Sequence, residues 1–357
     1  MNNIFKTAQL LYFTLTSINY RDFFLKYKFN ASDNIVVIFP DFPRQILQYF
    51  YSDAFLNDVA LINAVVKIKS DFTVILGKKR VLNTKNKNVF FNMGQRFRNH
   101  YNDNYSDALI QFVKLLETNN NKCYPNSNEC EWWENKEFMQ RKFEELDIKI
   151  PKTQIIDLVN FQIQNVQFEY PFLIKEVHSS GSQGVHKIKN EKVFAEKIKE
   201  LAQRKDSYGS NTILIQELLK MDRDFRVVII GEEIVLHYWR INPNIEWKPT
   251  STKHGSRVDF IFFPDKWRTH IISEFKKTGL STGAFDLVWV DNDMNLEPYI
   301  LEISPSYQPN PPIPKSINTS YGNWKTQFKL IDNYPKKFVS IVNEQKVKLV
   351  KNYFKSN

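Results

Sequence analysis

The sequence predicts an α/β fold with more than one domain, and three observations support this prediction. Apolar strand-like runs alternate with helical segments through residues 34–118, which is the pattern of an α/β sheet. Residues 283–305 read as two short strands joined by a polar turn. The chain has 357 residues, of which 42% are hydrophobic, so it can bury the cores of two or three domains.

Composition and charge exclude some classes of protein but do not identify a function. The formal net charge of +10 permits nucleic acid, an acidic membrane surface or anionic substrates as partners, and selects none of them. Cys123 and Cys130 form a single pair without nearby histidines, which indicates neither a zinc site nor a secreted disulfide framework. No run approaches the roughly 18 apolar residues of a membrane span, and residues 1–17 do not resemble a signal peptide. We therefore expect a cytoplasmic protein with no transmembrane segment.

The first predicted unit covers residues 1–130. Residues 1–30 read as an amphipathic helix, for which packing on the domain is favoured over a membrane-surface position. Alternating strands and helices are predicted after it at residues 34–41, 44–55, 72–77, 89–93 and 106–118. Arg96 and Arg98 would lie at the carboxyl end of a strand, where open α/β sheets bind ligands, although surface arginines exposed to solvent are the favoured interpretation. The polar run 119–128 is the predicted domain boundary.

A phosphate-binding loop is predicted next. A helix over residues 133–147 leads through an extended segment to a strand over 170–177 that carries Lys175. The loop that follows is rich in serine and glycine, and Gly181 and Gly184 let its backbone N–H groups come close to phosphate oxygens. A glycine-bearing turn alone is weak evidence, but a strand lysine ahead of it strengthens the prediction.

Charged residues on the later strands complete a candidate site. In the predicted hairpin around Gly231, Asp224 and Arg226 share one side of their strand, and Arg240 can reach the same cleft. In the hairpin 283–305, Phe285, Leu287 and Trp289 are predicted to share one face, as are Tyr299, Leu301 and Ile303. Asp286, Glu302 and Ser304 can converge there as hard oxygen ligands for Mg²⁺ that carries nucleotide phosphates. The alternative for this stretch alone is an ordinary hairpin with solvated acids.

The order of these residues resembles the ATP-grasp superfamily, and most closely the RimK and glutathione-synthetase-like carboxylate–amine ligases. The resemblance covers about residues 131–310 and is carried by Lys136, Pro171-x-x-x-Lys175, Gly181-Ser-x-Gly184, Gln216-Glu217, Asp224-x-Arg226, Arg240, Asp286 and Glu302-x-Ser304. It implies an ATP-grasp fold over residues 131–312, whose small lobe (about 136–215) and large lobe (about 216–312) clasp ATP. Residues 1–130 are similar to the small α/β domain, called preATP-grasp, that precedes this fold.

The resemblance also implies a role for each site residue. The nucleotide would be bound by Lys136, Lys175, Ser180, Gly181, Ser182, Gly184, the hinge Gln216, Glu217 and Leu218, the ribose ligand Asp224, and Lys248 near the phosphates. Two Mg²⁺ ions would be held by Asp286, Glu302 and Ser304, and Arg240 and Arg226 would stabilise the transferred phosphoryl group.

The implied activity is that of an ATP-dependent ligase that joins a carboxylate to an amine through an acylphosphate. The acceptor and donor would be small molecules, peptides or glycan-linked groups, and no motif indicates nucleic-acid recognition. An ATP-grasp kinase or phosphotransferase and a non-catalytic nucleotide-binding module are the alternatives. Oligomeric state is not predicted.

Three residues of this sequence depart from the family pattern. Ser304 stands where these ligases usually have Asn, His186 where a second glycine is usual, and Glu176 where a proline often follows the strand lysine.

The tail over residues 313–357 is lysine-rich and is predicted to be mostly helical. A helix packed through Phe338, Ile341, Val342 and Leu349 is favoured there over docking on an acidic partner or membrane.

Overall fold

In the part of the chain that the structure describes, three β-sheets have helices packed against them, which is consistent with the predicted α/β class. This computed structural model describes residues 2–29, 32–38, 49–50, 52–94, 105–159, 166–179, 181–204, 210–242, 247–251, 254–260, 262–312 and 330–354. Among these residues, no helix is long and apolar enough to cross a bilayer.

The first sheet is parallel and belongs to the N-terminal part of the chain. Its strands are β1 (Asn34–Ile38), β2 (Thr73–Leu76), β3 (Asn88–Phe90) and β4 (Lys122–Tyr124), in the order β2-β1-β3-β4. The helices of this part are α1 (Asn2–Thr16), α2 (Tyr20–Lys26), α3 (Asp53–Ile68), α4 (Lys78–Val81) and α5 (Tyr105–Thr118). The predicted alternation of strands and helices is confirmed over these residues.

Four details of the first part differ from the prediction. The expected single helix over residues 1–30 is two helices, because Asn19 caps a new helix by accepting from the Asp22 N–H group. The helix expected at 44–55 is helical at residues 49–50, where the structure describes it, and residues 44–48 lie outside the described part; the long helix α3 that begins at Asp53 is not predicted. The strand expected at 89–93 ends at Phe90. The run 119–128 contains β4, which pairs with β3, so it is not a free linker, and the domain boundary there stays a prediction.

The second sheet is antiparallel and carries the predicted phosphate loop. Its strands are β5 (Thr153–Asp157), β6 (Phe172–Glu176), β7 (Val185–Ile188) and β8 (Thr212–Glu217), in the order β5-β8-β6-β7. Helix α6 (Ser127–Glu131) precedes this sheet and places Cys130 in the core of the first one, whereas α7 (Lys136–Glu145) and α8 (Glu191–Arg204) lie near the second sheet. Buried Phe172, Ile174 and Phe194 pack between the sheet and α8, and thereby fix the strand that presents Lys175.

The third sheet is antiparallel and has five strands in the order β11-β10-β9-β12-β13. They are β9 (Arg223–Ile230), β10 (Glu233–Ile241), β11 (Arg257–Asp259), β12 (Thr282–Val288) and β13 (Tyr299–Ser304). Helix α9 (Arg268–Lys277) packs on it through a core that contains Phe225, Trp239, Phe275, Phe285 and Trp289. Both predicted hairpins are therefore confirmed.

A β-bulge between β12 and β13 changes which side chains face the core. Asp286 pairs with Glu302, but the next residue, Leu287, pairs with Ile300, so Leu301 is the extra residue. Ile300 and Ile303 consequently lie in the core, whereas Leu301 lines a cavity beside Glu302. The predicted shared face of Tyr299, Leu301 and Ile303 is wrong for this reason.

The C-terminal helix α10 (Tyr334–Tyr353) joins the first part of the chain to the third sheet. Its buried Phe338 and Val342 pack in one cluster with Leu56 and Ala60 of α3 and with Val228 of β9. Polar contacts reinforce the packing at Lys346, whose Nζ donates to Asn92 Oδ1 at 2.6 Å, and at Asn343, whose Oδ1 accepts from Asn63 at 2.7 Å. The predicted packed helix is confirmed over Tyr334–Tyr353, and residues 313–329 of the predicted tail lie outside the described part of the chain.

Truncation of Phe338 tests this junction. We expect Phe338→Ala to lower the free energy of unfolding by about 3–5 kcal/mol, because the ring is completely buried between two elements. The measurement is guanidinium denaturation, with Lys337→Ala on the exposed side of the same turn as the matched control. Equal, small effects of the two substitutions would contradict the role of α10 as a structural junction.

Candidate active site

A cavity of 430 Å³ lies between the second and third sheets, and most of the predicted site residues line it. Its volume is in the range of small-molecule sites. The predicted residues in its wall are Lys175, Gly181, Ser182, Gln216, Glu217, Leu218, Asp224, Arg226, Arg240, Asp286, Glu302 and Ser304. The strands thus bring together residues that are more than 120 positions apart in the chain.

Several predicted residues do not line this cavity. Lys136 lies behind the loop over residues 178–184, and Gly184 is part of that loop, as described below. Lys248 donates to the carbonyl oxygen of His254 at 2.5 Å, while its neighbour Trp247 lines the cavity. Ser180, like Arg96 and Arg98, lies outside the described residues.

A row of opposite charges crosses the third sheet at the base of the cavity. Arg240 on β10 pairs with Asp224 on β9, with Nε–Oδ1 and Nη2–Oδ2 distances of 2.7 and 2.5 Å. Arg226 on β9 pairs with Asp286 on β12 through two contacts of 2.7 Å. Arg240 also approaches Asp286 at 2.8 Å, which joins the two pairs into one network, the Asp–Arg ladder.

Burial and ion pairing shift the pKa values of these two acids in opposite directions. Burial alone would raise the pKa of Asp286, but the charges of Arg226 and Arg240 outweigh burial and hold it at about 2. Burial raises the pKa of Asp224, and the charge of Arg240 opposes this rise. Because the guanidinium groups stay charged, the ladder is internally compensated within the low-dielectric interior.

The environment of Asp224 argues against the predicted ribose contact. Its side chain is 1% exposed, and both oxygens accept from Arg240. Thr250 donates a third hydrogen bond to Oδ2 at 2.6 Å. An acid with its lone pairs used in this way positions Arg240, and the ribose role stays a prediction that the geometry does not favour.

Glu302 differs from the ladder acids, since no hydrogen bond or ion pair occupies its carboxylate among the described residues. It lies directly beside Asp286 through the strand register. Ser304 lies two residues further along, and its hydroxyl donates to the carbonyl oxygen of Ser306 at 2.6 Å, which leaves oxygen lone pairs available.

These donors fit a magnesium site that is completed by a nucleotide. No group of three or more His, Cys, Asp and Glu side chains in the described part of the chain is placed to hold a metal. Mg²⁺ characteristically takes one or two carboxylates and fills its remaining positions with phosphate oxygens and water. Glu302 supplies one such carboxylate, and the shorter reach of Ser304 suits a contact through water. Asp286 is occupied by Arg226 and Arg240 in this structure, so its contact with the metal stays a prediction.

Lys175 projects from β6 toward the acids. Burial lowers the pKa of its ammonium group to about 8, and the nearby Glu302 and Asp286 carboxylates oppose this shift. The lysine therefore carries its charge at neutral pH but is unusually close to losing it. A buried cation next to an available carboxylate is the arrangement expected where phosphate and metal charges meet.

The loop over residues 178–184 is held down by Lys136. Its Nζ donates to the carbonyl oxygen and to Oγ of Ser179, at 2.6 and 3.1 Å, and the lysine is 8% exposed. Gly184 is required at its position, since an added Cβ would lie 2.5 Å from Ser179 Oγ. Lys136 thus tethers the loop in this structure, and its predicted direct contact with phosphate stays a prediction.

His186 and Glu176, two residues that depart from the family pattern, contact each other. His186 Nε2 lies 2.9 Å from Oε1 of the buried Glu176, across the pair of strands that flank the loop. Neither residue lines the cavity in this structure. The pair replaces a proline and a glycine with a side-chain contact that ties β6 to β7.

The predicted hinge lies at the end of β8. Gln216 donates to Thr153 Oγ1 at 2.8 Å, and Glu217 accepts from the Lys152 N–H group at 2.6 Å. These contacts to β5 and the residues before it fix the side chains, while the chain from Gln216 to Leu218 borders the cavity.

Sequence reasoning missed several residues of the cavity wall. The most informative are Thr250, which holds Asp224, and Gln308, whose amide donates to Asp53 Oδ2 of α3 at 3.0 Å. Tyr238, Trp247 and Tyr307 add aromatic surface. Tyr238 is predictable from the sequence, because strand alternation places it on the same face of β10 as Arg240, two residues away. The loop residues carry no such periodic signal.

The ladder makes a testable prediction about stability. Asp224→Asn should lower the free energy of unfolding by about 3 kcal/mol, because it removes a charge opposite an arginine that is only 9% exposed. The matched control is Asp222→Asn, which weakens the half-exposed pair with Arg223 and should cost no more than about 1 kcal/mol. Urea denaturation measures both, and equal costs would show that Asp224 does not anchor Arg240.

Comparison with known proteins agrees with this geometry. The profile of the RimK-like ATP-grasp domain matches residues 134–320. The tetrahydromethanopterin:alpha-L-glutamate ligase of Methanocaldococcus jannaschii is 26% identical over 156 residues, which are 42% of this chain and 52% of that protein. The chain therefore spans about half the length of this curated relative.

Solved structures share the fold at low sequence identity. A RimK-domain ATP-grasp protein from Sphaerobacter thermophilus is 9% identical, with a TM-score of 0.51 over 87% of this chain and 98% of its own. A D-alanine–D-alanine ligase from Bacillus anthracis is 11% identical, with a TM-score of 0.52 over 90% of this chain and 100% of its own. These likenesses show the ATP-grasp fold, and the profile match covers more than half of the chain. The chain therefore belongs to the RimK-like ATP-grasp family.

Proposed function

We propose that the protein is an ATP-dependent carboxylate–amine ligase that forms an amide bond through an acylphosphate. One observation carries the proposal: the available Glu302 carboxylate lies beside Asp286 in a cavity that Lys175, Arg226 and Arg240 also line. Family membership supports it, and a Bacillus anthracis ligase of the same fold is complexed with ATP.

The nucleotide would lie between the second and third sheets. Backbone groups at Glu217 and Leu218 would bind the base, since both residues border the cavity at the end of β8. Gly181 and Ser182 have positive φ angles of 60° and 62°, a conformation that turns backbone N–H groups into an anion-binding concavity. Lys175 would contribute the nearby positive charge.

Asp286, Glu302 and, through water, Ser304 would hold magnesium. When bound there, the metal neutralises charge on the phosphates and orients them. The chain contributes the rest of the charge compensation through Arg240 and Arg226, which the ladder acids hold in fixed positions. Fixed donors of this kind stabilise developing charge without reorganising during the reaction.

Phosphoryl transfer depends on the positioning of the reacting groups more than on covalent catalysis by the protein. A substrate carboxylate oxygen attacks the γ-phosphorus of ATP, the bond from that phosphorus to the β–γ bridging oxygen breaks, and ADP leaves. An amine then attacks the acyl carbon, phosphate leaves with the acyl C–O bond electrons, and the amine loses a proton. The products are an amide, ADP and phosphate.

Glu302→Gln tests the assignment. We expect Mg²⁺–ATP to raise the unfolding temperature of the wild-type protein and amine- and carboxylate-dependent ADP release to be measurable. The variant should lose at least about 100-fold in turnover, because several kcal/mol of charge stabilisation depend on the metal. Glu232→Gln, on an exposed hairpin turn, is the matched control and should behave as wild type.

The outcomes separate the proposed ligase from its alternatives. ADP release that needs no amine and gives a stable phosphorylated product would indicate a kinase. Nucleotide binding without turnover, unchanged in Glu302→Gln, would indicate a binding module. Absence of any nucleotide-dependent shift would overturn the proposed function.

The pKa of Lys175 predicts how nucleotide affinity depends on pH. Because the free ammonium group has a pKa of about 8, its charge is present at pH 7 and mostly lost at pH 9. The Kd of Mg²⁺–ATP, measured by calorimetry, should rise about tenfold over this interval. Lys175→Arg keeps its charge, so its Kd should change little with pH, and a parallel rise in both proteins would contradict the prediction.

A further inference from the structure

The N-terminal helix pair is apolar on two opposite sides. Leu10 and Phe13 of α1 pack in the cluster that contains α10, and Phe23 and Tyr27 pack against Phe72 and its neighbours. This inner side is the packed face that the sequence predicts. It accounts for only part of the apolar residues in these helices.

The outer side exposes large apolar groups. Its exposed fractions are 72% for Phe24, 67% for Leu25 and 81% for Phe29. Tyr12, Leu15 and Tyr20 are also exposed, and the Tyr20 hydroxyl donates to the Leu15 carbonyl oxygen at 3.0 Å, which links α1 to α2. We call the six apolar residues, together with Arg21 and Lys28, the N-terminal surface.

The charges on this surface are positive. Arg21 and Lys28 are exposed, and helical spacing places Arg21 three residues before Phe24 and four before Leu25. Lys26 faces inward, where its Nζ donates to the Val66 carbonyl oxygen at 2.5 Å. The nearby acid, Asp22, is half-buried and accepts from Asn19 at 2.9 Å.

This combination fits an anionic bilayer better than a second copy of the chain. Two copies that met through this surface would bring Arg21 and Lys28 toward their own counterparts, and the whole chain already carries a net charge of +10. At a bilayer, aromatic and aliphatic side chains enter the boundary between headgroups and acyl chains. Arginine and lysine at the edge then reach lipid phosphates.

We propose that the N-terminal surface binds the face of a membrane that contains anionic lipids, without crossing it. The six apolar side chains would lie at the headgroup boundary, and Arg21 and Lys28 would contact the phosphates. None of these residues lines the candidate active site, so the proposal is independent of the ligase assignment.

Vesicle co-sedimentation of the full chain tests the proposal. We expect binding to phosphatidylcholine vesicles that contain phosphatidylserine, weaker binding to phosphatidylcholine alone, and loss of binding as salt is raised. Phe24→Ser with Leu25→Ser, and separately Arg21→Glu with Lys28→Glu, should each weaken binding by about tenfold or more. These side chains are exposed, so circular dichroism should show both double variants folded.

Two control variants test whether binding depends on the N-terminal surface or only on the net charge and exposed apolar area of the whole protein. Lys79→Glu with Arg80→Glu makes the same change in net charge on exposed residues of α4, and Phe262→Ser removes a half-exposed ring elsewhere. Both controls should bind vesicles as the wild type does. Equal loss of binding in the charge control would overturn the proposal in favour of net charge alone. Absence of wild-type binding to either vesicle would also overturn it.

Discussion

The Asp–Arg ladder is the constraint on which the rest of the candidate active site depends. Buried charges must be paired, and each ladder acid has its arginine on the adjacent strand in register. A shift of one residue in β9 would turn Asp224 and Arg226 to the other face, and would leave Arg240 and Asp286 buried without their partners. The same contacts that set the strand register therefore also fix the positions of the guanidinium groups at the cavity.

The ladder stops one strand short of the sheet edge, and this leaves Glu302 available. The bulge at Leu301 turns two adjacent side chains of β13 toward the cavity, where a regular strand would present one. Rigid strands thus hold the charged groups, while the loop over residues 178–184 is attached from behind by Lys136.

Much of this arrangement could be predicted from sequence, because strand alternation is a local signal. Strand alternation and the order of the family motifs predict that Asp224, Arg226, Asp286 and Glu302 lie in one cleft, and all four line the cavity, while their roles stay predictions. The bulge at Leu301 has no sequence signal of its own, so the predicted face of β13 failed. Helix α3 is missing from the prediction because it is buried on several sides and lacks the polar stripe that marks a surface helix. The bond from Thr250 to Asp224 joins a loop to a strand, and no periodic pattern encodes such a pairing.

The position of α10 has a consequence for how the chain acquires its structure during synthesis. The helix packs against α3 and β9, and Asn63 is bonded to Asn343, 280 residues later in the chain. Until residues 334–353 have left the ribosome, the apolar surfaces of α3 and β9 that they cover must remain open to solvent or to chaperones. Contacts over such long sequence separations slow folding, because chain entropy is lost before they form. The nascent protein should thus pass through a stage in which its strands are made but its two halves are not yet joined.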